Sequence, residues 1–175
     1  VPHSATSVGV LPHGRRKTIR VPTQTSRELG SLLGYLIGDG HISRVKHHFA
    51  LTTGDIDQAQ DFIRLVDVLF GLNHRLVKHD GRWRVFVYSE TASDFLIDGL
   101  GLTHGPSARE KRIPDGILRS PEPVVRAFLR AYFDCDGYAG KQGVILSTMS
   151  DALAEQVQLL LLNYGILTRK RRQKD

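Results

Sequence analysis

Two stretches of this 175-residue chain decide its fold: LLGYLIGDG at Leu32–Gly40 and LRAYFDCDG at Leu129–Gly137. Each is an apolar run at helical spacing that ends in Asp-Gly, where glycine allows a left-handed exit from a helix. Both stretches carry small residues four positions apart, which places them on one helix face. These residues are Gly34 and Gly38 in the first stretch and Ala131 and Cys135 in the second. Two such helices can pack with their backbones in close contact.

Close packing of the two helices would bring the aspartates at their ends, Asp39 and Asp136, together. Two carboxylates at short range cannot both stay ionised without a compensating positive charge. A divalent cation supplies that charge, and hard oxygen ligands suit Mg²⁺. Such an ion can activate water and clamp a scissile phosphate, so the paired helix ends predict metal-dependent phosphodiester chemistry.

The segments that follow the two stretches are also repeated. With Asp39 aligned to Asp136, residues 49–53 fall on residues 145–149. Each unit has the predicted order helix, strand, strand, helix, strand, strand. The second unit reaches Asp175 opposite the tip of the first unit's hairpin, so we expect it to lack its last strand and final helix. Either the chain is incomplete, which we favour, or another chain supplies the missing strand.

The repeat divides the chain into three parts. Residues 25–119 form the first unit with its connector, and residues 120–175 form the second, incomplete unit. Residues 1–24 show no helical or strand periodicity and contain the basic run Arg15-Arg16-Lys17. We expect this part to be an extended basic arm or linker. The predicted fold class is α+β, a pseudo-two-fold repeat of αββαββ units.

A β-hairpin is predicted around Asp80-Gly81, a strong two-residue turn signal. With that turn His79 opposes Arg82, and alternate residues point to opposite faces. The basic face presents Arg75, His79, Arg82 and Arg84, and the apolar face presents Leu76, Trp83, Val85 and Val87. A two-stranded ribbon fits the major groove of DNA, where arginines read guanine or bind phosphate. The sequence leaves that choice open.

The equivalent place in the second repeat, Thr168–Lys174, is also basic, and Ile166–Lys174 is a candidate strand. Its predicted DNA contacts are Arg169, Arg171 and Gln173. Cationic side chains also protect solvated edge strands, but clusters at equivalent places in both repeats favour DNA. The net charge of +6 and the pI of about 9.7 suit a polyanionic partner.

Several classes of protein are disfavoured by composition. The single cysteine, Cys135, excludes an intramolecular disulfide. No apolar run reaches the roughly 18 residues of a membrane helix, and Val1–Ser4 does not begin a signal peptide. We therefore expect no membrane association and an intracellular location, in the cytoplasm or nucleoid, or in the nucleus of a eukaryote.

The two stretches resemble the paired LAGLIDADG motifs of homing endonucleases, in the single-chain form with two pseudo-symmetric halves that occurs inside inteins. The resemblance covers about residues 25–175. It implies two antiparallel sheets forming a saddle over double-stranded DNA on a central pair of LAGLIDADG helices. It also implies hydrolysis of both strands at a long target site with Mg²⁺ or another divalent cation. The active form would be a monomer, or one completed by further residues or a second chain.

Residue by residue, the resemblance makes Asp39 and Asp136 the catalytic, metal-binding acids. Asp134 matches the other acidic position of the second motif, where the first copy has Ile37 instead. Gly34 and Ala131 match the positions that pack the two helices, together with Gly38 and Cys135. The backbone carbonyls of Gly38 and Cys135 are further candidate metal ligands.

A candidate catalytic lysine is Lys111, in the sequence Lys111-Arg112-Ile113-Pro114. It resembles the lysine followed by Ile-Pro that precedes the second motif in intein-type members. Its ammonium would orient the attacking water or stabilise charge developing on the phosphate. By the same resemblance, the partner lysine of the second half would lie beyond Asp175.

The main alternative is a LAGLIDADG-type protein that binds nucleic acid without cutting it, either a transcription regulator or an RNA maturase. Both motif aspartates are present, which favours retained chemistry. No helix-turn-helix pattern is evident, which argues against a regulator. Magnesium-dependent cutting of DNA is the property that separates these classes.

Overall fold

The computed structural model describes residues 5–8, 19–105, 108–141 and 143–172. The basic run at 15–17 and the predicted DNA contact Gln173 lie outside the described residues. No helix in the described part of the chain is long and apolar enough to cross a membrane.

The first unit begins with helix α1, Arg27–Ile37, whose N-terminal cap Ser26 accepts a hydrogen bond from the backbone of Leu29. Strands β3, Gly40–Ser43, and β4, His48–Thr53, follow directly. The remaining elements are α2, Ile56–Phe70; β5, Arg75–His79; β6, Arg82–Tyr88; and α3, Glu90–Asp94, which continues as a π-helical turn, Phe95–Gly99. The four strands form an antiparallel sheet in the order β3-β4-β6-β5.

The second unit repeats the beginning of the first. A 3-10 turn, Ala108–Glu110, and a short helix α4, Asp115–Leu118, precede it. Its elements are α5, Glu122–Asp136; β7, Gly137–Gly140; β8, Gly143–Leu146; and α6, Asp151–Asn163. Its two strands pair antiparallel with each other. The predicted α+β class and the repeat of helix, two strands and helix are confirmed.

The register of the strands corrects the predicted repeat alignment by one residue. Gly40 pairs with Leu51, and Gly137 pairs with Leu146, so Leu51 corresponds to Leu146 rather than to Ser147. The helix caps agree with this: Thr53 Oγ1 accepts from the backbone N of Asp55 at 3.0 Å, and Thr148 Oγ1 accepts from that of Ser150 at 3.2 Å. The connection between the two strands is two residues shorter in the second unit than in the first. The alignment of the sequence repeat allowed for a difference of only one residue.

The core lies between the first unit's sheet and helices α1 and α2. The predicted apolar face of the hairpin is largely confirmed, since Val85 and Val87 are fully buried and Trp83 packs against the core. Leu76 is the exception: it is 38% exposed, because β5 is the edge strand of the sheet. The opposite, outer face of the hairpin carries the residues that the sequence analysis placed on the basic face.

The predicted extended arm is wrong over its described part. Residues 5–8 form a strand, β1, that pairs antiparallel with β2, Ile19–Pro22. Ile19 and Val21 are buried in the core. A strand of four residues alternates only twice between buried and exposed positions, which is too short a pattern to detect in sequence.

The predicted strand at Ile166–Lys174 is not formed in its described part, residues 166–172. In the first unit β5 pairs with β6, whereas the described residues after α6 offer no such partner. The segment instead returns along α6, where Lys170 Nζ lies 3.0 Å from Asp151 Oδ1 and 3.1 Å from Glu155 Oε1. Arg172 also pairs with Asp151, at 2.8 Å.

Candidate active site and nucleic-acid interface

Helices α1 and α5 lie side by side in backbone contact. A Cβ at Gly34 would lie 2.4 Å from the carbonyl oxygen of Phe128 and 2.9 Å from Ala131 Cβ. A Cβ at Gly38 would lie 2.4 Å from Cys135 Cβ. No side chain fits at either glycine, so the predicted packing positions are confirmed. We call this contact the helix interface.

The helix interface includes one position that the sequence analysis missed, Gly30. A Cβ there would lie 2.6 Å from the carbonyl oxygen of Val124. Gly30, Gly34 and Gly38 are spaced four apart, so the signal was present one helical turn before the quoted motif. The close approach of the two helices thus extends over three successive turns of α1.

Each motif aspartate lies where a helix passes directly into a strand. Asp39 lies one residue after Gly38, the C-cap of α1, and β3 begins at Gly40. Asp136 is the last residue of α5, and β7 begins at the next residue. The Asp39 carbonyl accepts from the backbone N of Thr52 at 3.4 Å, and the Asp136 carbonyl accepts from that of Ser147 at 3.3 Å. The two aspartates are therefore held in equivalent backbone settings.

The two carboxylates influence each other electrostatically. Burial raises the pKa of Asp39, while the positive charges of Lys111 and Arg82 oppose the rise. Burial also raises the pKa of Asp136, and the negative charge of Asp39 raises it further, while Lys111 again opposes. The helix interface thus brings together the two acids that the sequence predicted to meet, with Lys111 beside both.

Lys111 reaches from the connecting loop to the end of α1. Its Nζ donates hydrogen bonds to the carbonyl oxygens of Ile37, at 2.5 Å, and of Gly38, at 2.8 Å. Burial lowers the pKa of Lys111, and the negative charges of Asp136 and Asp39 oppose that effect. Lys111 thus lies close enough to both aspartates to interact with their charges, and its catalytic role stays a prediction.

The loop that carries Lys111 is anchored on the second unit. The Ser150 hydroxyl donates to the Lys111 carbonyl at 2.7 Å, and the Ile113 N–H donates to Gln156 Oε1 at 2.8 Å. Lys111 therefore links the helix α6 of one unit to the motif helix of the other. A shift of either unit would move its ammonium relative to the aspartates.

Gln58, in the first turn of α2, is a site residue that the sequence did not indicate. Its Nε2 donates to the Asp134 carbonyl at 2.8 Å, and its Oε1 accepts from the Thr53 hydroxyl at 2.6 Å. Asp134 occupies in α5 the place that Ile37 occupies in α1. Gln58 thus contacts the end of the second motif helix as Lys111 contacts the end of the first. A glutamine on an amphipathic helix carries no pattern that predicts such a contact.

The two carboxylates fit a divalent cation. Burial of two acids whose charges repel leaves negative charge that a cation would compensate. No cluster of three His, Cys, Asp or Glu side chains capable of holding a metal occurs among the described residues. Mg²⁺ held by Asp39 and Asp136 would complete its shell with water and phosphate oxygens, as is usual for this ion.

The backbone carbonyls of Gly38 and Cys135, predicted as further metal ligands, differ in their contacts. The Gly38 carbonyl accepts a hydrogen bond from Lys111 Nζ, so a metal there would share this oxygen with the ammonium. Ligation by the Cys135 carbonyl stays a prediction. Burial raises the pKa of the Cys135 thiol to about 12, so this side chain is an uncharged packing group at neutral pH.

The basic face of the hairpin forms in the predicted register. His79 pairs with Arg82, and Arg75 pairs with Phe86. No acidic group among the described residues forms an ion pair with Arg75, Arg82 or Arg84. His79 differs, because its Nδ1 lies 2.8 Å from Asp80 Oδ2. Arg82 acts on the pKa of Asp39, so the basic end of the sheet lies beside the aspartates.

The second basic segment does not match the first in structure. Arg169 and Arg171 are exposed, but they lie in the irregular segment beside α6 rather than on a strand. The structure thus does not give them the sheet position that Arg75 has in the first unit. Their contact with DNA, and that of Gln173, stays a prediction.

Comparison with known proteins shows related sequence segments in several archaeal proteins. The chain is 41% identical over 149 residues to the replication factor C small subunit of Methanocaldococcus jannaschii, a match that covers 83% of this chain and 8% of that protein. It is 36% identical to the same subunit of Thermococcus kodakarensis, over 83% of this chain and 16% of that protein. It is 34% identical to a DNA polymerase of Thermococcus litoralis, over 82% of this chain and 8% of that protein. The chain therefore spans only a small part of the curated relatives it matches.

The fold is similar to that of solved LAGLIDADG structures. Variants of the homing endonuclease I-DmoI match with a TM-score of 0.63 and 19% identity, over 81% of this chain and 78% of that one. I-DmoI in complex with DNA and Mn matches with a TM-score of 0.59 and 19% identity, over 81% and 79% of the two chains. The N-terminal LAGLIDADG domain of DUF199/WhiA matches with a TM-score of 0.57 and 11% identity, over 87% and 73%.

A family match in the second unit agrees with the shared fold. Residues 123–175 match the LAGLIDADG-like domain family, and this range contains the second motif. The paired motif helices with an aspartate at each end are the features on which the sequence resemblance rested. The second unit therefore belongs to the LAGLIDADG-like domain family, and the chain has the fold of solved LAGLIDADG structures.

Proposed function

We propose that this chain is the endonuclease part of an intein, a homing endonuclease that hydrolyses both strands of double-stranded DNA at a long target site. The observation that carries the proposal is the pair of aspartates at adjoining helix ends with Lys111 beside both. A basic sheet face adjoins them through Arg82. Such a site suits cutting of a polyanion that lies across the sheet.

The intein origin is supported by the variety of the relatives. Segments similar to this chain occur in a replication factor, an ATP synthase subunit, a DNA polymerase and an elongation factor. In each the match covers 8% to 15% of the protein. A common segment in proteins of unrelated activity is expected of an inserted element rather than of a shared enzymatic domain.

The chemistry follows from the charges at the site. A bound divalent cation would polarise the scissile phosphate and lower the pKa of an attacking water. Asp39 and Asp136, when ionised, hold and orient that charge at the helix interface. Lys111 keeps its proton on Nζ and presents a positive charge where negative charge develops on the phosphate. Structures of I-DmoI with DNA and Mn, Ca or Mg support a divalent cation.

Double-stranded DNA is the proposed partner. The relative I-DmoI has been solved in complex with DNA. In this chain Arg75, Arg82 and Arg84 form no ion pair with a described residue, which suits contact with phosphate or guanine. We propose an intracellular monomer with pseudo-two-fold symmetry.

The test is cleavage of a DNA library in Mg²⁺ by the wild-type chain and by Asp39→Asn and Asp136→Asn. We expect cutting at one long site, reduced at least about 100-fold in either variant because each removes one preorganised charge. Asp67→Asn, at an exposed position of α2, is the matched control and should cut normally.

The alternative function is a LAGLIDADG protein that binds nucleic acid without cutting it. Tight binding of DNA, no cutting in Mg²⁺ or Mn²⁺, and no effect of either aspartate substitution would contradict the nuclease proposal and establish a regulator. Preferential binding of structured RNA would indicate a maturase.

A further inference from the structure

The outer face of the first unit's sheet has two chemically different ends. One end carries Arg82 and Arg84, and the positive charge of Arg82 lies close enough to Asp39 to oppose the raised pKa of that carboxyl. The other end carries four rings that contact one another, which we call the aromatic patch. Its members are His41, His48, Phe86 and Tyr88.

The rings of the aromatic patch pack around His48. The His48 ring centroid lies 5.6 Å from that of His41, 5.8 Å from that of Phe86 and 5.5 Å from that of Tyr88. Phe86 and Tyr88 stack with an interplanar angle of 20°. Burial, together with the neighbouring His41 and Lys46, lowers the pKa of His48, so its ring is neutral at physiological pH.

The fold does not require aromatic rings at this place. Val85 and Val87, which alternate with Phe86 in β6, fill the core on the inner face. Tyr88 is 57% exposed, and His41 is exposed as well. His48 is buried and Phe86 is partly buried, so His41 and Tyr88 are the exposed rings of the patch. Exposed rings on the face that also carries arginines without an ion-pair partner among the described residues point to contact with the same partner.

The strand register gives the distance between the two ends. Tyr88 pairs with His48, and Arg84 pairs with Thr52, next to the aspartate end of the sheet. Tyr88 lies six positions after Arg82 in β6. At the usual rise of a strand this separation is about 20 Å. This length equals about six base pairs of DNA at about 3.4 Å each.

We propose that the aromatic patch contacts the C5-methyl groups of thymines in the major groove. The target would then carry A·T pairs about six base pairs farther from the cleavage site than the pairs that Arg82 contacts. Apolar side chains distinguish thymine by its methyl group, which the other bases lack in that groove. The inference rests on the proposed function, since it takes the outer sheet face as the DNA face.

The test begins with selection of duplexes from a random library by binding to the full chain in Ca²⁺, so that it does not depend on cleavage. Each thymine of the selected duplex is then replaced singly by deoxyuridine, which removes only the methyl group. We expect an affinity loss of about fourfold per methyl at one or two outer positions, the value for burial of one carbon group. Thymines nearer the centre should show no loss.

The variant Tyr88→Ser tests whether the patch makes this contact. It should bind the thymine and deoxyuridine duplexes equally at the outer positions, while central specificity is unchanged. Leu76→Ser, on the inner face of the same hairpin, is the control and should keep the wild-type discrimination. Equal thermal melting of both variants and the wild type would establish that the sheet is intact.

The outcomes are distinguishable. A selected duplex that is insensitive to deoxyuridine at every position would overturn the proposal for the patch alone. Outer sensitivity that persists in Tyr88→Ser would also overturn it, because another group would then make the contact. Failure to select any duplex would overturn the proposed function and this inference with it.

Discussion

The two units share their motif helices and differ in their sheets. In both, an aspartate joins a helix to a strand, and a threonine hydroxyl, that of Thr53 or Thr148, accepts from the backbone of the next helix cap. The first unit then builds a four-stranded sheet, whereas the described part of the second has two strands. The proposed chemistry is thus located in what the units have in common, and the proposed DNA surface in what differs.

The surfaces of the matching helices α2 and α6 differ as well. Leu159 and Leu162 of α6 are 58% and 51% exposed, where α2 has the exposed polar residues Arg64 and Asp67. A polar outer face is normal for a surface helix. The repeat has therefore kept the inner contacts of this helix but not its outer ones.

The largest expected effect comes from the helix interface that joins the units. Gly34→Ala places a Cβ against the Phe128 carbonyl and Ala131, and we expect a loss of stability of about 3 kcal/mol or more because backbone atoms must move. Gly54→Ala, where a Cβ meets nothing within 4 Å, is the control and should be neutral or slightly stabilising. Urea unfolding measures both. Equal stability of the two variants would mean that the helices do not touch as described.

A smaller effect, on the cleavage rate, is expected from the two side chains that contact the helix ends, Lys111 and Gln58. Lys111→Met removes a positive charge beside both aspartates, and we expect cleavage to slow by about 100-fold. Gln58→Met removes two neutral hydrogen bonds, to the Asp134 carbonyl and from the Thr53 hydroxyl, and no charge, so a loss of less than about tenfold is expected. Single-turnover cleavage of the selected target measures both rates. Comparable losses would show that the two helix ends have similar roles.

The smallest expected effect is a change in pH dependence. The raised pKa values of Asp39 and Asp136 mean that cleavage should fall, as the pH is lowered, earlier than for ordinary aspartates. The lowered pKa of Lys111 means that the alkaline decline should begin below the ordinary lysine value. Arg82→Gln removes a charge that favours ionised Asp39, so the acid limb should move to higher pH.

The control for the pH measurement is Arg75→Gln, on the neighbouring strand. Arg75 is not among the charges that shift the pKa of either aspartate, so the acid limb of this variant should coincide with that of the wild type. Profiles of the cleavage rate at a fixed Mg²⁺ concentration provide the comparison. An acid limb that is identical in Arg82→Gln would place Arg82 away from the metal-binding acids.

The hairpin register was predictable from sequence because its turn fixes it. Asp80 and Gly81 both adopt positive φ, 50° and 75°, which suits a two-residue turn and leaves one pairing. The paired aspartates were predictable for a similar reason, since small residues four apart define one helix face. These local rules determine which side chains share a face without knowledge of the rest of the fold.

Other contacts depend on tertiary structure that no local pattern encodes. Gln58 and Asp134 are 76 positions apart, and their hydrogen bond exists only because α2 packs near the end of α5. The segment Ile166–Lys174, predicted to be a strand, has suitable residues. A strand also needs a partner strand for its backbone hydrogen bonds, which residue composition does not reveal. Lys170 and Arg172 instead form ion pairs with Asp151 of α6.

The passage from helix to strand at Asp39 has a mechanical consequence. No loop separates α1 from β3, and the Asp39 carbonyl is also tied to the strand that lies across the sheet. Bending of the sheet on a bound DNA sequence would therefore directly displace the Asp39 carboxylate. We expect a DNA site that differs slightly from the target to be cut more slowly because the Asp39 carboxylate is misaligned. This should hold even where the site is bound almost as tightly as the target.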